Sequence, residues 1–268
     1  MISYYVFKSP STSKPTQKGT KNAKLHNDRN VLYRRSRKNK ELREMIRTDD
    51  AVIDFNKIIH MPESLNMEEG TATDRGLSAI LTAINPGTPD YGEKKVSIKT
   101  FTSLVKKVRK ACGPFNTEDT IRVNAPETIN KKNIKNGQIY LNNIKKYGYP
   151  TWYGWCDDNW GTKWNALETC ESDDNTIWFQ TANGVAIPIC EALSEKFPDV
   201  TIKLRWADED TSYGTGEAEF SNQNSTMTEY EGESKDAYEL YAELWDVCLE
   251  DEGFIYDEEK GTYIYHCH

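Results

Sequence analysis

The sequence has no apolar run near the ~18 residues that a membrane span needs, and its mean hydropathy is −0.76. A membrane-spanning helix is therefore not expected. Met1–Pro10 lacks a basic segment followed by a long apolar stretch, so no secretory signal is expected either. Histidine is scarce, with four in 268 residues, and the six cysteines form no CxxC pair and no Cys/His cluster of zinc-finger spacing. Reduced thiols in a cytosol are the expectation. Gly214-Thr215-Gly216 lacks the lysine and glycine spacing of a phosphate loop. No Ser-His-Asp, Cys-His or paired-acid arrangement follows from spacing. The expectation is a non-catalytic protein with no catalytic residues, no cofactor and no resident metal.

Aromatic residues, by contrast, are plentiful: 7 Trp, 15 Tyr and 8 Phe. That supply argues for a packed core rather than wholesale disorder. Charge is unevenly spread behind the net −8. Residues 1–50 carry +8, and residues 201–268 carry −14. Three uses follow. The basic arm contacts nucleic acid, through Lys14, Lys18, Lys21, Arg34, Arg35, Arg37 and Lys38; or the acidic third faces a basic partner; or the two ends attract each other within one chain or between copies. Because the acids would repel polyanions overall, docking of the arm is favoured over nucleic-acid binding.

Residues 9–24 are rich in Ser, Thr, Pro and Lys and read as a connector after a short strand at Met1–Lys8. Further expectations are a strand at Asn30–Tyr33, a helix over Lys38–Arg47 and a strand over Ala51–Ile59. Helices are expected at Arg75–Ile84, Ser97–Cys112 and Ile139–Tyr147, within a poorly apolar insertion at about 63–147. Lys163–Thr169 and Thr176–Thr181 read as a hairpin, Ile187–Phe197 as an amphipathic helix with Pro188 in its first turn, and Val200–Trp206 as a strand. Ser234–Leu249 reads as a helix, followed by a hairpin of Phe254–Tyr256 and Thr262–Tyr265. The pattern is α+β: an antiparallel sheet with helices on one face. The expected parts are a basic extension at 1–30, a domain over 31–220 and an acidic helix and hairpin over 221–268.

Two strings are distinctive: Asp54-Phe55-Asn56-Lys57-Ile58-Ile59-His60-Met61-Pro62 and Trp160-Gly161-Thr162-Lys163-Trp164-Asn165-Ala166. Phe179-Gln180-Thr181-Ala182, the helix Ile187–Lys196 and Phe197-Pro198-Asp199-Val200 follow. Over about 50–67 and 150–220 the chain resembles phage- and plasmid-encoded proteins with a YubB-type ferredoxin-like domain. It departs from them at His60, where proline is frequent, and at Asn183-Gly184-Val185. The resemblance implies a ferredoxin-like fold, a mobile-element origin and the host bacterial cytosol. It implies no reaction. The class-level expectation is a counter-defence, anti-CRISPR-like binder of a host protein or nucleoprotein complex, with self-association as a further option.

The partner-facing residues expected from this reading are Glu239, Glu243, Asp246, Glu250, Asp251 and Glu252, on and just after the last helix. The alternative is a metal-dependent hydrolase or nuclease. Asp157-Asp158 or Asp208-Glu209-Asp210 would then hold Mg²⁺, which takes one or two carboxylates plus waters. Trp160, Gly161, Thr162, Lys163, Trp164 and Asn165 are expected to build a Trp-rich core rather than a stacking platform. Lys163 is expected to bond a buried carbonyl or an aspartate. His266-Cys267-His268 reads as a chain end rather than a metal site.

Overall fold

A computed structural model of the chain describes residues 2–8, 38–70, 72–73, 75–76, 131–171 and 176–266. It divides into two compact units: residues 1–60 with 159–268, and residues 61–158. The strand expected at Asn30–Tyr33 and the helix at Ser97–Cys112 fall outside the described residues, as does most of Arg75–Ile84.

The first unit is built on a six-stranded antiparallel sheet. Its strands are β1 (Ile2–Lys8), β2 (Leu167–Glu171), β3 (Thr176–Ala182), β4 (Ile202–Ala207), β5 (Gly216–Ser221) and β6 (Asn224–Glu229). Their order is β2-β3-β1-β4-β5-β6. β1 occupies the interior. It pairs with β3 from Ile2↔Ala182 to Lys8↔Thr176, and with β4 at Tyr4↔Ala207 and Tyr5↔Trp206. The first strand of the chain thus separates the two strands flanking the helix at Ile187–Lys196, giving the split β-α-β-β-α-β arrangement of a ferredoxin-like fold. Residues 61–158 lie in sequence between β1 and β2. The sheet continues past residue 220 through the β5–β6 hairpin, which sequence reading missed.

Both helices expected around this sheet form. α1 spans residues 38–46 and buries Leu42 and Ile46. The segment expected as a strand over Ala51–Ile59 instead holds a single helical turn, α2 (Phe55–Ile58). Phe55 and Ile58 stand three apart, a helical rather than an extended spacing. Asp54 supplies the cap, its side chain accepting from the Asn56 N–H.

In the second unit, α3 (Lys131–Tyr147) starts eight residues before the helix expected there, and α4 (Trp152–Trp160) runs into the first unit. A 3₁₀ turn at Glu63–Leu65 lies against α3. Buried Asn143 satisfies it: its amide donates to the Ser64 carbonyl (2.6 Å) and the Pro150 carbonyl (3.0 Å), while its oxygen accepts from the Ser64 hydroxyl (2.8 Å).

α5 (Ile187–Lys196) carries Pro188 in its first turn and buries Ile189, Cys190 and Leu193. It packs with α2, β4 and β5. Strand alternation puts Ile202, Leu204 and Trp206 on one face with Ala218 and Phe220, and Lys203, Arg205 and Ala207 on the other. α6 (Lys235–Trp245) covers the second face: Tyr241 and Leu244 cluster with Ala207 and Trp178, and Arg205 reaches Glu243. The acidic extension therefore adds a helix opposite the one expected face. Such two-sided cover explains why six of the seven β3 residues are buried. α6 ends at Trp245, not Leu249, because Asp246 turns left-handed (φ 54°). Cys248, just beyond the helix end, is exposed. The closing hairpin forms as β7 (Phe254–Asp257) and β8 (Thr262–Tyr265).

Candidate functional site

The two distinctive strings meet, and they do so as structure. Phe55 is fully buried between the rings of Trp160 (6.1 Å) and Phe179 (5.7 Å), both edge-on. Burying such a ring contributes roughly 1.5–3 kcal/mol. The indole N–H of Trp160 donates to the Ile59 carbonyl at 2.9 Å, so this buried aromatic leaves no unpaired donor. Asn165 bridges the strings. Its oxygen accepts from the backbone N–H of Phe55 (2.8 Å) and of Ala166 (2.9 Å), and its amide donates to Asp54 Oδ1 (2.7 Å). Thr162, buried, donates to the Trp164 carbonyl at 2.7 Å.

The backbone N–H of Lys163 bonds the Ala182 carbonyl (2.9 Å), and its Nζ lies 4.7 Å from the Trp164 ring centre. Trp160 and Trp164 bracket a turn, the first buried and the second 46% exposed. Trp164 is the exposed residue of the motif, and Lys163 beside it is half-buried.

The acidic candidates are placed unequally. Glu239, Asp246, Glu250, Asp251 and Glu252 are exposed. Glu239 stands 3.6 Å from Lys235, and Cys248 Sγ donates to Glu250, holding that carboxyl below its usual range. Glu243 is engaged: both its oxygens accept from Arg205, at 2.5 and 2.6 Å. That bidentate pair fastens α6 to β4 rather than presenting a free carboxylate. The β7–β8 hairpin exposes Tyr256 and Tyr265 on one face and Ile255 on the other, and Lys235 Nζ lies 5.4 Å over the Tyr256 ring. Sequence reading missed these aromatics as surface. Their alternation along two short strands was the available signal.

Among the described residues, no group of three or more His, Cys, Asp or Glu is placed to hold a metal ion. Asp208 is half-buried; its carboxylate accepts from the Glu209 N–H (2.6 Å), and its carbonyl accepts from the Trp245 indole (2.9 Å). Asp158 accepts from the Tyr149 hydroxyl. That bond, with burial, pushes the Tyr149 phenol up to about 12 from its ordinary 10.0. The fold therefore favours the protonated phenol. Its stabilisation is complete below pH 10 and is lost as pH rises through about 12. Asp158→Asn is expected to return this titration toward 10.0, followed by tyrosinate absorbance against a Tyr149→Phe control.

Of the arm residues, Lys38 is described: it opens α1 and lies 3.6 Å from Glu41. Lys14, Lys18, Lys21, Arg34, Arg35 and Arg37 lie outside the described residues, as do Cys267 and His268. A cavity of about 230 Å³ between α5 and the β5–β6 hairpin, lined by Glu191, Ser194, Glu195, Phe220 and Gln223, joins residues that no motif had linked. No helix among the described residues is long and apolar enough to cross a membrane.

The sheet order, the split connection and the helix on α5's face define a ferredoxin-like α+β domain. In agreement, the family described as the ferredoxin-like domain in Api92-like protein matches residues 159–268. The match takes in β2 to β8 with α5 and α6, so the acidic helix and hairpin fall within the matched region. No curated protein and no solved structure matches the chain.

Proposed function

We propose that this protein is a non-catalytic binder of a basic macromolecule, and that it engages its partner through the acidic, aromatic surface of α6 and the β7–β8 hairpin. One observation carries the reading. Five exposed carboxylates, Glu239, Asp246, Glu250, Asp251 and Glu252, lie on α6 and the turn into a hairpin that exposes Tyr256 and Tyr265 on one face, and Lys235 links Glu239 (3.6 Å) to the Tyr256 ring (5.4 Å). Carboxylates take guanidinium groups in charge-assisted pairs, and tyrosine faces take cations or their alkyl stems. The combination suits an arginine- or lysine-rich protein surface. It also suits the counter-defence role among phage or plasmid accessory proteins that the resemblance to the YubB-type family implies, with a host protein or nucleoprotein complex as target.

Reversing Glu239, Glu250 and Glu252 to lysine is expected to remove partner capture from bacterial lysate at physiological salt. Glu243 is left intact because it holds Arg205. Reversal of exposed Asp49, Asp50 and Asp199 changes net charge equally and serves as control. Capture is expected to weaken as salt rises, since exposed charges are screened over about 10 Å at 0.1 M. Equal capture by both triple variants overturns the reading.

A further inference from the structure

The two edges of the six-stranded sheet are treated differently. At the β2 edge the pairing register shifts between Leu167 and Cys170, with Glu168 at φ 46°. The same strand is held from outside: Thr169 Oγ1 accepts from the Val52 N–H, and Glu171 pairs with Arg43 and Arg47. A bulge and covering contacts are the usual ways in which a sheet edge is closed to strangers.

β6 has neither. Its pairing with β5 is unbroken from Gly216↔Glu229 to Ser221↔Asn224, and all six residues are exposed. The segment Asn-Ser-Thr-Met-Thr-Glu contains no proline, no lysine and no arginine. Among the described residues nothing pairs with its outer side. Met227 is 58% exposed there, the most exposed apolar side chain of the sheet among the described residues.

We infer that β6 is a self-association edge, where a second copy of this chain pairs its own β6 antiparallel across a two-fold axis. An axis perpendicular to the sheet keeps each face of one copy continuous with the same face of the other. Opposed residues must then have the same parity. With Met227 on the axis, Met227 faces Met227 of the partner subunit, Thr226 faces Thr228 of the partner subunit, and Ser225 faces Glu229 of the partner subunit. Each pair is compatible. The methionines meet apolar to apolar, the threonines form a favourable cross-strand pair, and each carboxylate meets a hydroxyl rather than its own copy. The two sheets become one of twelve strands through an isologous contact.

Six residues a side is a small contact beside the ~1,600 Å² of a standard interface, so the association is weak and concentration-dependent. Sedimentation velocity of the full chain over about 5–500 µM is expected to show a reversible dimer. Met227→Lys puts like charges on the axis and is expected to weaken dimerisation at least ~10-fold, with an unchanged melting temperature because the site is exposed. Met227→Cys supplies a second reading, in a background where the exposed Cys170 and Cys248, together with Cys112 and Cys267, are serine. Facing Cα atoms about 4.5–5.5 Å apart meet disulfide geometry, so mild oxidation is expected to cross-link the Met227→Cys variant but not the Thr226→Cys or Thr228→Cys variants. A wild-type chain monomeric throughout the range, a dimer indifferent to Met227→Lys, or cross-linking equal at all three positions overturns the inference.

Discussion

Gly161→Ala is expected to cost at least ~4 kcal/mol, at the extreme of single substitutions, and to leave little folded protein. Gly161 has φ +75°, and a Cβ there would lie 2.3 Å from the Val185 carbonyl oxygen and 2.9 Å from Pro188 Cδ. Neither neighbour can step aside: one is backbone, and the other is the ring that opens α5. The approach is mutual, since a Cβ on Gly184 would lie 2.2 Å from the Gly161 carbonyl oxygen. Two turns thus touch backbone to backbone, joining the end of α4 to the β3–α5 connection. Gly148→Ala separates the causes. It shares a positive φ (+91°) but meets nothing within 4 Å. It should cost only the ~1–2 kcal/mol of a left-handed L-residue. Urea denaturation followed by tryptophan fluorescence measures both. A Gly161→Ala variant no worse than Gly148→Ala would show that the turns do not need this contact.

That pair of turns marks the boundary of what the sequence can reveal. The Trp-Gly-Thr-Lys-Trp-Asn string was legible as unusual, and Trp160 as a core residue; Trp164, expected in the core with it, is 46% exposed. The string's partners were not legible, because Phe55 and Asp54 lie more than a hundred positions from Asn165. Local spacing carries no information about such contacts. Amphipathic α5 and the strand ending at Trp206 were readable because each buries one side with a regular period. α2 was misread because a single turn supplies too few residues for a period; the Asp54 cap and the one three-residue step from Phe55 to Ile58 were all that distinguished it. The β5–β6 hairpin was missed for another reason. Its turn is made by Asn222 and Gln223 at φ 50° and 64°, with no glycine to mark it, and β6 has no buried face to alternate. The acidic helix was read correctly as a surface. That Glu243 is spoken for by Arg205, however, depends on β4 passing beneath α6, which is a property of the topology.

Asn165 offers the test with the most internal detail. Asn165→Ala leaves the N–H groups of Phe55 and Ala166 without acceptors and removes the donor to Asp54. Stranded groups of this kind cost about 1–3 kcal/mol each when shielded from water, and both strings of the motif loosen together. A loss of about 2–4 kcal/mol is expected, read as a lower denaturation midpoint. Asn165→Asp keeps the shape and the acceptor oxygen but turns a carboxylate toward Asp54 Oδ1, where the amide had stood at 2.7 Å. Two carboxylates so close cannot both stay ionised cheaply, so one pKa is raised in the folded state. The sign follows: the variant is destabilised at neutral pH and regains stability as pH falls through that raised value, whereas Asn165→Ala does not. The exchange Asp54→Asn with Asn165→Asp completes the argument. Asp54 Oδ1 takes both bonds, from the Asn56 N–H (2.9 Å) and from the Asn165 amide (2.7 Å), so an asparagine at 54 either keeps the cap or turns its amide to the carboxylate at 165, not both at that atom. The exchange removes one of the two facing charges, so the double variant is expected to recover part of the loss of Asn165→Asp at neutral pH. A double variant as unstable as the sum of its parts would show that the facing carboxylates are not the source of that loss.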